Sequence, residues 1–306
     1  DLAIERRDLY KKAHNIETEV DGIETEEEKV DESISISRVK VKNEQGEQAI
    51  GKPQGNYITI DIKNLKIASQ EEIHKASEMV TKELKALIEK HAGKQDSILV
   101  VGLGNIYVTP DALGPKVINE IDITRHLLEY MPDVLDKDTR EVSAVSPGVL
   151  GTTGIETLEI LKGIVDNIHP KLVIVIDALA SRSIERISSS IQLADTGIVP
   201  GAGVANARKE LTVATLGVPV IAMGIPTVVD AATIAADSLT LLIQKAQENA
   251  QSNDYLNKLQ EEDKYAMIKE VLTPEEYNFI VTPKEIDSLI EKMKDVVARG
   301  INFAVN

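Results

Sequence analysis

"KLVIVIDAL", residues 171–179, decides the fold. From Leu172 to Ile176 no polar residue interrupts the run. An alternating strand leaves one face to water. A continuous apolar strand has cover on both faces, as in a parallel sheet layered by helices. The run then meets a carboxylate, Asp177, where an ionised group costs free energy unless it is partnered. Upstream, "SILVVGLG" (97–104) and "EVSAVSPGV" (141–149) read as two further strands with their exits, and "VPVIAMG" (218–224) as a fourth downstream. Helical spacing fills the intervals. Val117, Ile118, Ile121, Leu127 and Leu128 mark a helix over 112–130, and Leu158, Leu161, Ile164, Val165 and Ile168 mark one over 155–168. Another runs from Ala231 to about Ala250, and the last follows Thr282-Pro283. Strand and helix in alternation predict an α/β fold, a mostly parallel twisted sheet flanked by helices.

The N-terminal part has a different period. Residues 1–31 are polar and acidic and read as an exposed arm. "SISISRVKVK" (33–42) alternates like a half-buried strand, Asn43–Gly46 supply a turn, and "QAIGK" and "NYITIDI" (56–62) complete a small antiparallel β unit over 32–68. Ser69, with Glu72 three residues on, opens a helix carrying Ile73, Ala76, Val80, Leu84 and Leu87, and Gly93 stops it. The expected organisation is one α/β domain over 1–306, with its core at 69–306. The stretch 211–229 is uncharged and about a membrane span long, but Gly217 to Pro219 and Gly224 to Pro226 punctuate it. It reads as a buried strand between two turns. The polar stretch 247–263 reads as a mobile loop.

Composition excludes several functions. The chain has 306 residues, with 34 Lys plus Arg against 50 Asp plus Glu, a formal charge of −16. Such a polyanion avoids direct contact with nucleic acid and with anionic membranes. There is no cysteine, so disulfides, thiolate catalysis and zinc–sulfur sites are excluded, and with no tryptophan there is little to stack on bases. No secretory signal is visible in the charged start, and a cytoplasmic location follows as the expectation.

Ligands of open parallel sheets sit beyond the carboxyl ends of the strands. Three carboxylates fall there: Asp111 after the first strand, Asp177 at the end of the third, Asp230 after the fourth. Asp111 and Asp230 each precede a helix and also suit the role of N-cap. Asp177 has Arg182 or Arg186 as an alternative structural partner. The five histidines, at 14, 74, 91, 126 and 169, avoid the strand exits. Gly102-Leu103-Gly104 resembles a nucleotide-binding turn, but Tyr107 stands where a third glycine belongs. There is no Gly-Lys-Ser/Thr of a phosphate loop and no Gly-x-Ser-x-Gly elbow. Asp195-Thr196-Gly197 looks like the active-site triplet of pepsin-like proteases, but occurs once and reads as a turn.

Five blocks in order, "VVGLGNIYVTPDALGPKV", "VSPGVLGTTGIET", "IDALASRSIERI", "GIPTVVDA" and "FIVTPKEID", resemble the germination proteases of spore-forming bacteria. The Gly-Leu-Gly-Asn turn is also similar to that of hydrogenase maturation proteases, whose fold of phosphorylase/hydrolase-like type is related. The resemblance implies an atypical aspartic endopeptidase that degrades small acid-soluble spore proteins during germination in the spore core. It implies a homotetramer and a zymogen that cuts itself near its N-terminus. The two aspartates of the family fall on Asp111 and Asp177. The first five residues, "DLAIE", resemble the substrate signature and the self-cutting junction, which places the scissile bond at Asp1–Leu2 and the arm over the catalytic cleft in an uncut precursor.

Two neighbouring carboxylates cannot both ionise easily, so one keeps a proton and assists the peptide while the other activates water. Which does which is open at the level of sequence. Because the implied substrates are cut beside an acidic residue, a cation is expected nearby, with Arg182 first and Arg186 and Lys116 after it. No cofactor is expected. Two alternatives use the same residues differently: a metallopeptidase with a hard divalent ion on Asp111 and Asp177, and a non-enzymatic acidic holdase for DNA-binding proteins.

Overall fold

A computed structural model describes residues 2–136, 138–201, 208–248, 268 and 279–306. Its nine strands are β1 (Ile23–Lys29), β2 (Ile34–Val41), β3 (Gly55–Ile62), β4 (Ile98–Gly102), β5 (Val142–Val145), β6 (Leu172–Ser181), β7 (Ser190–Ala194), β8 (Val220–Asp230) and β9 (Ile280–Val281). They form one sheet in the order β1-β2-β3-β7-β8-β6-β4-β5, with β9 paired to β8. β8, β6, β4 and β5 are mutually parallel and make the layered centre. The antiparallel strands β1, β2 and β3 extend this sheet through β7, so the expected small β unit is continuous with the core.

Burial on both faces holds residue by residue. Ile98 and Val100 of β4 and Leu172, Ile174 and Ile176 of β6 join one cluster, under α3 (Gln70–His91) and the C-terminal helix Ile286–Val305. Leu99, Val101, Val173 and Val175 point the other way, into a cluster with Leu161 and Val165 of helix Thr157–Ile168. A third cluster shares that second face farther along, where Leu2, Ala3 and Ile4 meet Val39, Val41, Tyr57 and Ala194. The Ser69–Glu72 capping box is formed as read. The apolar stretch 211–229 ends in β8, whose residues 220–229 are all buried. Among the described residues, no helix is long and apolar enough to cross a membrane.

Three expectations are corrected. Of the expected exposed arm over 1–31, residues 2–31 are folded instead: α1 (Ala3–His14) buries its first turn, with Leu2 only 1 % exposed, and β1 is the edge strand of the sheet. "IETEEEK" lacks apolar alternation, and what makes it a strand is tertiary. It pairs with β2 along its whole length, and its glutamates find Arg38 and Lys42 across the ladder. "QAIGK" is not a strand either. Asn43 Oδ1 accepts from the Gly46 N–H at 3.0 Å and starts α2 (Glu44–Ile50), which Gly51 ends at φ +62°. The helix expected over 112–130 is two, Leu113–Ile118 and Arg125–Tyr130, because Thr124 Oγ1 between them bonds the start of β5. Of the expected loop 247–263, residues 249–263 lie outside the described residues, as does Asp1.

Candidate active site

The chain leaves β4 for β5 on one side and leaves β6 for β7 and β8 on the other. Adjacent strands whose connections part in this way open a crevice at their carboxyl ends. β4 and β6 are neighbours there, with Gly102 opposite Ile176, and the Leu103 N–H donates to the Ile176 carbonyl at 2.8 Å. Asp111 follows β4 and Asp177 lies in β6 one residue past that pair. Alternation puts Asp177 on the face of Val173 and Val175, in the seam between the two clusters that cover this face.

The glycines of the β4 exit have a steric task. A side chain on Gly104 (φ +119°) would collide with the carbonyl oxygen of Asp111, and one on Gly102 with that of Gly114. The segment 111–114 therefore lies directly on the turn. What resembles a phosphate cradle is a seat for an acid. Asp111 ends a 3₁₀ turn, Thr109–Asp111, and its Oδ2 accepts from the Asn105 N–H at 2.7 Å. It caps no helix, whereas Asp230 does bond the Ala232 N–H at a helix start.

Asp111 and Asp177 line one cleft of about 300 Å³, with Leu103, Pro110, Thr157, Arg208 and Thr227 among its other walls. Asp177 is 6 % exposed. Burial, and then the neighbouring Asp111 charge, push its carboxyl up to about 8, against a weaker pull from the Ala178 N–H. Asp111 is half-buried. Its carboxyl is raised too, by desolvation, and the Asn105 N–H works in the opposite direction. Asp177 pairs with Gly224 of β8, and just beyond it the ladder between β6 and β8 slips at Leu179/Ala180, where Thr227 is the residue left out of register. Such a bulge also accommodates Pro226 inside a central strand.

The three cations proposed from sequence are placed elsewhere. Arg186 donates to Asp61 Oδ1 at 2.9 Å and stands 3.4 Å from Glu5, and Lys116 pairs with Glu291 on the C-terminal helix. Arg182 is exposed beside Arg6. None of them lines the cleft. Arg208 does, and sequence reading missed it because it follows no apolar strand. Asp195 holds Asn56 through both carboxylate oxygens and fastens a turn at the end of β7. Among the described residues, no group of three or more His, Asp or Glu is placed to hold a metal. A hard ion would have the two aspartates as its carboxylate donors here.

α1 also lies away from the cleft. The Ala3 N–H donates to Gln192 Oε1 on β7 at 2.7 Å, and no described residue of α1 lines the cleft. The expectation that the N-terminal segment covers the aspartates is corrected for Leu2 onward, because the apolar side chains of Leu2 and Ile4 are drawn into the sheet cluster.

The family model described as germination protease matches residues 3–259 and 246–306. A germination protease of Caldanaerobacter subterraneus subsp. tengcongensis is 50% identical over 100% of this chain and 93% of its own length. Those of Clostridium perfringens and Priestia megaterium are 47% and 40% identical, each over 100% of this chain, and over 94% and 93% of their own lengths. Among solved structures, a [NiFe] hydrogenase maturation protease HycI from Thermococcus kodakarensis KOD1 is 19% identical with a TM-score of 0.28, covering 46% of this chain and 80% of that one. That likeness is too slight to bear on the site. The chain belongs to the germination protease family.

Proposed function

From that membership we propose that the chain is an endopeptidase of spore germination that hydrolyses peptide bonds with the Asp111–Asp177 pair. The observation that carries the reading is the joint placement of the two carboxylates in one cleft at the crevice between β4 and β6. Their environments divide the work. Asp177, deeply buried and raised to about 8, keeps its proton at neutral pH. Asp111, more open and stabilised as an anion by the Asn105 N–H, is the ionised member. Asp111 takes a proton from water, the water oxygen attacks the peptide carbonyl, and the Asp177 O–H protonates the carbonyl oxygen. As the tetrahedral gem-diol collapses, the C–N bond breaks, the leaving amine takes the proton held by Asp111, and one gem-diol hydroxyl returns its proton to Asp177, which restores both side chains. The substrates under this reading are small acid-soluble spore proteins in the spore core. The working form is a homotetramer, matured when a longer precursor cuts its own Asp1–Leu2 bond.

The test is cleavage of a purified small acid-soluble spore protein, with and without chelator. Asp111→Asn and Asp177→Asn should each lower kcat by about 10²–10⁴-fold. The double variant should be no worse, since members of one catalytic unit are not additive. Chelator should change nothing. Normal turnover in either single variant would remove the aspartate mechanism, and loss of activity with chelator would replace it with a metal-dependent one. In the same assay a precursor extended upstream of Asp1 should acquire Leu2 as its new N-terminus, and its Asp177→Asn form should stay intact. A new N-terminus elsewhere counts against the junction.

A further inference from the structure

We propose that Lys52 is the cation that receives a carboxylate of the substrate, in a hollow continuing the Asp111–Asp177 cleft past Leu179. The proposal rests on reading that cleft as a site of peptide hydrolysis. The hollow, about 280 Å³, has Lys52, Tyr57 and Gln192 in its walls and shares Ala178, Leu179, Ala180 and Gly201 with the cleft. A peptide whose scissile bond lies over the aspartates therefore carries a flanking side chain into it.

Lys52 is held in place by its neighbours. Gly51 ends α2 in the left-handed conformation, Pro53 follows, and the Pro53 carbonyl accepts the Tyr57 hydroxyl at 2.8 Å. Elsewhere in this acidic chain, cations such as Arg7, Arg38, Lys75, Lys116 and Lys294 hold carboxylates. Among the described residues, the Lys52 ammonium makes no hydrogen bond or ion pair, although it is partly buried. Desolvation lowers its pKa, Arg6 repels it, and only Glu5 pulls the other way. Glu5 is turned toward other groups: Oε2 accepts from the Leu2 N–H at 2.8 Å, and the buried Oε1, without a hydrogen bond, is 3.4 Å from the Arg186 guanidinium. Arg6 is itself repelled by Arg182. Lys52 thus faces the hollow as a partly desolvated cation, and an incoming carboxylate offers it a counter-charge.

A second donor stands in the wall. Gln192 is 8 % exposed, and its Oε1 accepts from the Ala3 N–H. That bond fixes the orientation of the amide and leaves Nε2 as the donor for the ligand. Lys52 and Gln192 together suit one carboxylate of an acidic side chain next to the scissile bond.

The experiment compares a peptide carrying Asp-Leu-Ala-Ile-Glu with its Asn-Leu-Ala-Ile-Glu counterpart. The unchanged protein should show the lower KM on the Asp peptide. Lys52→Met should raise that KM about tenfold, the scale of one charge-assisted hydrogen bond, with kcat and the Asn peptide unaffected. Lys52→Arg should keep the preference. An equal loss on both peptides, or an intact preference in Lys52→Met, overturns the proposal. Binding of the Asp peptide measured directly in an Asp177→Asn background separates this claim from the catalytic one. There Lys52→Met should weaken binding about tenfold whether or not the aspartates prove catalytic, and unchanged affinity sinks the Lys52 assignment.

Discussion

At the scale of the residue, two identical side chains differ because their surroundings do. Asp177 ends an apolar run inside the sheet, and Asp111 sits on a turn with a backbone N–H aimed at it. The difference has a consequence for stability. A carboxyl that titrates near 4 in the unfolded chain and near 8 in the folded one binds more protons when folded. Its contribution is fully present below about pH 4 and is lost as pH rises through about 8. Unfolding free energy should therefore fall across this window by up to about 1.4 kcal/mol per pH unit on account of Asp177. Asp177→Asn should flatten that slope and be the more stable protein at pH 9, as denaturant titrations at several pH values would show. An unchanged slope would mean that Asp177 is ionised in the native state. Cleavage should likewise decline above about pH 8, as the acid loses its proton.

At the scale of the element, the exits of the strands matter more than the strands. Gly51 and Gly104 both have positive φ, but a side chain on Gly51 meets open space and one on Gly104 meets the Asp111 backbone. Gly51→Ala should cost about 1 kcal/mol of stability and leave kcat alone. Gly104→Ala should displace the 109–111 turn, costing about 1–3 kcal/mol and most of kcat. Thermal melts read beside kinetics separate the two, and a Gly104→Ala enzyme of normal kcat would show that Asp111 is not held by this contact. The edge strand β1 makes a second point. Four of its seven residues are glutamate, a poor composition for a strand, yet it forms because β2 presents Arg38 to it and Lys42 follows at the end of β2. A charged edge also discourages pairing with other chains.

At the scale of the whole molecule, Arg38 ties the edge to the core: it reaches Glu26 and Glu28 on β1 and binds both carboxylate oxygens of Glu83, 5 % exposed on α3. Arg38→Met should strand Glu83 and cost about 2–3 kcal/mol, most of which Glu83→Gln in the same chain should restore. A double-mutant cycle in urea measures this, and simple additivity would deny the coupling. Parallel strands, amphipathic helices and the Ser69 cap were legible in the sequence, because apolar period and capping chemistry are local. So was the candidacy of Asp177, since a carboxylate at the end of a buried run costs free energy and stands out, whereas Asp111 was set apart from Asp230 by the resemblance of its block to the germination proteases. The sequence alone thus determined the layered α/β class and offered Asp111, Asp177 and Asp230 as candidates at the strand exits. Tertiary structure decided what depends on partners distant along the chain. It turned the acidic N-terminal segment into a helix and an edge strand, because apolar Leu2 and Ile4 and the glutamates of β1 found their complements on residues far away. It also sent Arg186 and Lys116 to internal carboxylates and brought Lys52 to the hollow beside the cleft, because a charge settles where folding leaves a counter-charge or a space for one.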